Sequence, residues 1–396
     1  MAMQFEDGDN PFDFDHRYHG PFYTEDHRAW RAVLRSFVDQ EIMPHVDEWE
    51  EAGEFPRELY GKAASVGLIG VGYPEKYGGT PVNDAFFQIV TAEEMARMSA
   101  GGINASLLVH NIGLPPVMAV GSDDLKERVT PGVLSGEKIH ALAITEPSGG
   151  SDVANIKTRA VEDGDDYIVN GSKMFITGGM RADYYTVAVR TGDEGRGGVS
   201  LLLIERDRGG FTRTSLKKQG WWASDTAALY FDDVRVPKSN LIGEENKGFI
   251  GIMTNFNNER LWMAASSNAL ARVCLEDALA WARARETFGK RLADHQVIRH
   301  KFAEMARKIN ATQAYLEQCA LRVNAGESPV ADLSLLKVQS TLTMEYCARE
   351  AMQVLGGAGY LRGCRVERIY REVRVMAIGG GSEEIMRDLV ARQMGV

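Results

Sequence analysis

From about Tyr23 to Ser135 the apolar positions recur at three and four residues, the spacing of one helix face. The pattern predicts an amphipathic stretch near Glu25–Glu50, then helices over Leu59–Val66, Asp84–Met98 and Asp123–Leu134. Turn chemistry separates them, as in PEKYGG at 74–79 and SGEK at 135–138. Between about Ile139 and Pro237 the period becomes that of strands, in ALAIT, DYIVNG, KMFIT, DYYTVAVRT, VSLLLIE and AALYFDDVRVP, joined by Gly- and Asp-rich turns. After Pro237 the helical period returns in long runs rich in Ala, Leu, Glu and Arg. In one of them Leu270, Val273, Cys274, Ala278 and Trp281 make an apolar face. Several such helices with short loops argue for a bundle, and no repeat of solenoid length interrupts the α–β–α order.

A length of 396 residues fits two or three domains. With hydrophobic residues at 44% and charged residues at 25%, the chain can bury a large core. Lys and Arg number 45 against 55 Asp and Glu, a net charge of −10, so no overall field attracts nucleic acid or an anionic membrane. Any anionic ligand must be held locally. Glycine is in excess, 41 residues against a usual share of about 7%. The four cysteines, Cys274, Cys319, Cys347 and Cys364, have neither a CxxC nor a spacing suited to zinc, which predicts free buried thiols in a reducing compartment and no metal site. The first twenty residues, acidic and polar, lack the marks of a secretion signal or a transit peptide, and no apolar run approaches the ~20 residues of a membrane span. The expectation is a soluble, intracellular protein.

Generic enzyme signals are missing. Gly70-Val71-Gly72 runs on into Tyr-Pro-Glu, and Gly356-Gly357-Ala358-Gly359 follows a helical pattern, so neither makes a dinucleotide fingerprint. No Walker loop, HExxH or GxSxG occurs. Three polar clusters remain: ITEPSGGSD at 144–152, NGSKMFITGG at 170–179, and QVLGGAGY at 353–360 with AIGGGSEEI at 377–385. Singly, each reads as a loop with turn glycines.

Taken in order, the clusters resemble the acyl-CoA dehydrogenase family, FAD enzymes that oxidise the Cα–Cβ bond of acyl-CoA thioesters. The segment from Ala143 to Asp152 is similar to the family's first signature, and Gln353–Gly359 with the basic helix after it to the second. NGSKMFIT, SDTAALYFDDVRVP at 224–237 and RETFGK at 285–290 match further family blocks, so the similarity runs from about Tyr23 to Arg392. The implied fold is an α+β multidomain one: a 1–22 extension, an N-terminal α-helical domain at 23–137, a central β domain at 138–242 and a C-terminal four-helix bundle at 243–396.

The resemblance also implies roles. Thr145 and Thr177 would hydrogen-bond the flavin ring and Phe175 would pack near its face, where many members carry Trp. Ser151 would lie near the pyrophosphate or the substrate's pantetheine arm. Ile144, Gly381, Ser382 and Glu384 are further expected FAD contacts. Arg285, Thr287, Phe288, Gln296, Gln353 and Gly357 match positions that reach the FAD of a neighbouring subunit, which implies a homotetramer built as a dimer of dimers, and Gly356 and Gly357 would let backbone approach the cofactor closely. A guanidinium and backbone N–H groups would then replace the missing phosphate loop. Asn257 and Arg260 match positions near the CoA moiety.

The α-proton of a thioester is only weakly acidic, so its removal needs a carboxylate in a dry site and donors at the thioester oxygen. Many members place that glutamate where Gly380 stands here. In the long-chain and isovaleryl branches it sits instead on an early bundle helix in a Glu-Arg-Leu context, matched by Glu259-Arg260-Leu261. The resemblance therefore implies that Glu259 takes the α-proton, while the Gly380 N–H and a ribityl hydroxyl hold the thioester oxygen. Glu383 and Glu384, after Ser382 at a predicted helix start, suit the helix dipole better. Acyl chain length and branching stay open. The implied electron acceptor is an electron-transfer flavoprotein, and the implied location is a bacterial cytoplasm, or the mitochondrial matrix for a processed chain. Alternatives are an oxygen-using relative, an acyl-CoA or nitroalkane oxidase, and a non-catalytic assembly paralogue.

Overall fold

The computed structural model describes residues 14–396, with the side chains at 14, 16, 250, 253–255 and 257 outside that description. After a 3-10 turn at Phe14–His19, helix α1 spans Glu25–Phe37. The amphipathic stretch to Glu50 is not one helix: Val38–Ile42 widens into a π turn, Met43–His45 carries Pro44, and only then does α2, Val46–Ala52, begin. Proline lacks the N–H that would continue the ladder, so the apolar period outlives the helix. Then come α3 (Glu58–Ser65) and α4 (Ala85–Ala96), the latter capped by Asp84, whose carboxylate accepts the Phe86 N–H. Helices α5 (Gly101–Leu107), α6 (His110–Gly113) and α7 (Pro115–Val120) were not anticipated. Helix α8 (Asp123–Leu134), capped by Ser122, was.

The strands are β1 (His140–Ala143), β2 (Arg159–Asp163), β3 (Asp166–Thr177), β4 (Tyr184–Arg190), β5 (Val199–Glu205), β6 (Phe211–Ser215) and β7 (Thr226–Pro237). They form one sheet in the order β1-β4-β2-β3-β7-β6, with β5 paired to β4. Two of the predicted segments, DYIVNG and KMFIT, are a single strand, β3. Strands β2 and β6 lack an alternating signal because each buries a single residue, Ala160 or Phe211, beside neighbours that are exposed or half-exposed. A hairpin of Glu286–Thr287 and Lys290–Arg291 precedes the long helices that follow α9 (Gly248–Ala284): α10 (Gln296–Asn324), α11 (Val330–Leu355), α12 (Arg365–Ile378) and α13 (Glu383–Gln393). Among the described residues no single helix is long and apolar enough to cross a membrane.

By contact the chain divides into two compact units. One takes the chain up to Gln40, Asp84–Ser99 and Leu261–Met376. Its core joins Tyr18, Tyr23, Phe86, Ile89, Leu261, Leu316 and Leu336. The described part of the N-terminal extension is built into this unit: Tyr18 and Arg17 bond Glu93, and Asp15 bonds Arg31 and Arg35, which also bond Glu94 at 2.8 and 2.9 Å. The other unit takes Glu41–Asn83, Ala100–Arg260 and Ala377–Val396, and holds the whole seven-stranded sheet. Cys274, Cys319 and Cys347 are free and buried, and Cys364 is free and half-buried.

Candidate active site

Strand β1 delivers the first polar cluster. Beyond Ala143 the chain places Ile144 buried, Thr145 half-buried and Ser151 exposed. The Glu146 N–H donates to the Gly149 carbonyl (3.2 Å) and the Gly149 N–H to the Glu146 carbonyl (3.1 Å), which closes a tight turn over Pro147 and Ser148. A Cβ on Gly150 would lie 3.2 Å from Cγ2 of Thr145, so glycine there keeps the threonine's surroundings clear.

Strand β3 delivers the second cluster. From Lys173 to Ile176 it takes three steps while β7 takes two, from Leu229 to Ala227, so an extra residue bulges out. Phe175 lies in this bulge at φ 62° and is 66% exposed. A bulky residue enters the left-handed region at a cost, and such strain persists where the surroundings impose it. Thr177 is back in register opposite Thr226, and the Met174 N–H donates to the Thr145 carbonyl at 2.8 Å. The fold thereby brings Thr145, Phe175 and Thr177 together: two half-buried threonines and an aromatic ring displayed to solvent.

Residues that sequence reasoning passed over hold this arrangement. Asp225 Oδ2 accepts the N–H groups of Met180 (2.9 Å) and Arg181 (3.0 Å), and its carbonyl accepts the Gly178 N–H (2.8 Å), fastening the turn after Thr177. Burial pushes the Asp225 carboxyl up, against the pull of Arg181 and the two N–H groups. Lys173 is wholly buried, and its Nζ donates to the Ile144 carbonyl (3.0 Å) and to Glu146 Oε1 (2.9 Å). Burial pushes the Lys173 ammonium down to about 8, with Glu146 opposing. Glu146 is also buried, yet Lys173 and Thr158 hold it below the usual carboxylate range. One signal was available: in β3 Lys173 falls on the same side as Tyr167 and Val169, and an inward-facing charge requires a partner.

The same unit carries Glu259, Arg260 and Gly380–Glu384. Glu259 is half-buried on α9. Arg260 is buried with its guanidinium 5.7 Å from the Phe256 ring centroid. Burial lowers its pKa against the opposing charge of Glu259. Asn257 lies outside the described residues. Gly380 and Gly381 have φ of 65° and 100°, and a Cβ on Gly381 would meet Met386 Cε at 2.5 Å. Ser382 caps α13 by accepting the Ile385 N–H, Glu383 pairs with Arg387 at 2.8 Å, and Glu384 is exposed.

The remaining predicted residues belong to the other unit. Arg285, Thr287 and Phe288 sit on the hairpin, where Phe288 (φ 51°) and Gly289 (φ 77°) make the turn. Phe288 is 98% exposed. Gln296 opens α10, Gln353 lies near the end of α11, and Gly356 and Gly357 follow it with open space at their Cβ positions. The donor set fits FAD: hydroxyls and a displayed aromatic ring suit a planar, hydrogen-bonding ring system, and an exposed guanidinium and uncrowded glycines are groups that suit a pyrophosphate.

Comparison with known proteins agrees with this chemistry. The family models for the N-terminal, middle and C-terminal domains of acyl-CoA dehydrogenase match residues 24–137, 141–234 and 246–395. The long-chain specific mitochondrial acyl-CoA dehydrogenase of Rattus norvegicus is 37% identical over 376 residues, covering 94% of this chain and 87% of its own length. The solved structure of a probable acyl-CoA dehydrogenase from Mycobacterium abscessus matches with a TM-score of 0.92 and 47% identity, covering 94% of this chain and all of that one. A glutaryl-CoA dehydrogenase from Mycobacterium smegmatis solved in complex with FADH2 matches with a TM-score of 0.89 and 27% identity, covering 97% and 96%. The chain belongs to the acyl-CoA dehydrogenase family, FAD-dependent oxidoreductases that act on the CH–CH bond of acyl-CoA thioesters.

Proposed function

We propose that this enzyme converts an acyl-CoA to its trans-2-enoyl thioester with Glu259 as the base. One observation carries the assignment: at the position where many relatives hold the base stands Gly380, which has no side chain, while the unit that holds Thr145, Phe175 and Thr177 offers the half-buried carboxylate of Glu259. The rivals are less suited, since Glu383 is paired with Arg387 and Glu384 is exposed. Glu259 accepts the α-proton. The Gly380 N–H donates to the thioester oxygen as negative charge gathers there, and a backbone donor works whatever the side chain. Thr145 and Thr177 hold the flavin edge and Phe175 its face, with Ile144, Ser151, Gly381, Ser382 and Glu384 around them. FAD, when bound, supplies the hydride acceptor for Cβ.

Arg285, Thr287, Phe288, Gln296, Gln353, Gly356 and Gly357 serve the FAD of a neighbouring copy in a homotetramer. The near-complete exposure of the Phe288 ring supports this, because an aromatic side chain in water favours being covered. Asn257 and Arg260 are assigned to the CoA moiety, an electron-transfer flavoprotein takes the electrons, and the free cysteines fit a bacterial cytoplasm.

The test is anaerobic flavin bleaching by a panel of straight and branched acyl-CoAs. FAD-loaded Glu259→Gln should bleach at least about a hundredfold more slowly than wild type. Full reduction at the wild-type rate would sink the assignment.

A further inference from the structure

Two clusters, 144–152 and 170–179, meet through the backbone bond from the Met174 N–H to the Thr145 carbonyl and through one buried charge pair. Lys173 Nζ reaches back to the Ile144 carbonyl, one residue before Thr145, and to the carboxylate of Glu146, one residue after it. On the other side Lys173 is the last residue of β3 in register with β7 before the bulge that displays Phe175, and Thr177 follows four residues on. Glu146 is itself fixed by the N–H groups of Lys157 (2.7 Å) and Thr158 (2.8 Å), and the Thr158 hydroxyl donates to the Ser172 carbonyl at 3.2 Å. The pair thus closes a loop of bonds from β3 to the segment after β1 and back to β3.

Stability alone explains such a pair poorly. Two charges lose their hydration when buried, and a well-packed apolar pair of like volume often does as well or better. What an apolar pair cannot do is hold the Ile144 carbonyl and a carboxylate at fixed hydrogen-bond lengths on either side of Thr145. We propose that Lys173 and Glu146 are positioning residues of the flavin site, setting the separation between Thr145 and the Phe175–Thr177 bulge. This rests on the reading, given above, that Thr145, Phe175 and Thr177 contact the flavin.

The experiment uses the full-length chain as wild type, Lys173→Met, Glu146→Gln and the double variant. Thermal midpoint, FAD dissociation constant and the resolution of the visible flavin bands are measured for each. Lys173→Met should weaken FAD binding about tenfold or more and blur the bands. Glu146→Gln, which leaves the Lys173 bond to Ile144 in place, should do less. The double variant leaves no unpaired buried charge, so its thermal midpoint should recover toward wild type while FAD binding and band shape do not. Wild-type FAD affinity and bands in that double variant would overturn the positioning role and leave the flavin site itself standing. A wild-type chain that binds no FAD would overturn both readings.

Discussion

Lowering the pH from 7 to 5 should loosen the segment that feeds Thr145, because two histidines beneath it are buried in the neutral form. His140 opens β1, and its Nε2 lies 2.8 Å from the Thr186 hydroxyl, whose proton is committed to the Gly113 carbonyl at 2.7 Å. His140 must therefore donate through Nε2–H, which leaves Nδ1 buried without a hydrogen-bond partner. His110, in α6, lies with Nε2 2.9 Å from the Ile69 carbonyl, an acceptor only. Burial pushes His110 down to about 4 and His140 down to about 3, from 6.5 in an open chain. The sign follows: the opened segment takes up protons that the closed one refuses, so stability is complete above 6.5 and is lost as the pH falls toward the folded values. At pH 5, about one and a half units below the open-chain value, each histidine costs about 2 kcal/mol and the two together about 4 kcal/mol. The figure holds for any folded pKa at or below about 4, since neither site is then protonated at pH 5. Hydrogen exchange of the β1 amides at pH 7, 6 and 5, corrected for intrinsic rates, measures the opening free energy directly. His140→Gln should halve its slope against pH. A flat profile in wild type, or an unchanged slope in the variant, refutes the reasoning.

Asp225→Ala leaves the half-buried N–H groups of Met180 and Arg181 without their acceptor, so stability should fall by about 1–3 kcal/mol and FAD should bind more weakly through the loosened turn after Thr177; thermal melting and FAD titration check both. Glu93→Gln removes the buried charge that Arg17 and Arg272 approach, and a loss of about 3–5 kcal/mol is expected in denaturant unfolding, with an unchanged midpoint counting against it.

Periodicity reports one-sided burial, which explains both what the chain revealed and what it hid. Helix α8 could be read to its end residues because Ser122 caps it and one face alone is apolar. The segment from Gly101 to Val120 is buried in most directions, so its apolar residues repeat with no contrast that would mark its three short helices. The pattern divides β3 into two pieces because Gly171, at φ 143°, leaves an exposed position in mid-strand without breaking the strand. VSLLLIE was recognisable for the opposite reason: Val199–Ile204 are buried throughout, and a run that short and apolar is a strand covered on both faces.

The site was legible only through its resemblance to a family, since composition reads the same clusters as turns. What no local pattern could supply is which charge answers which. Alternation marks Lys173 as inward, yet its partner lies 27 residues away and is chosen by the topology that ends β1 beside β3. The net charge of −10 carries a related lesson. It required anionic ligands to be met by local cations, and those cations divide by exposure. Lys173 is buried and held by Glu146, and a buried charge is costly to desolvate, so it shapes the site. Arg285 stands exposed on a hairpin with its guanidinium hydrated, and an exposed charge can meet a phosphate without first breaking a buried pair. On the proposed roles, burial separates Lys173, which positions the flavin segment, from Arg285, which meets the ligand.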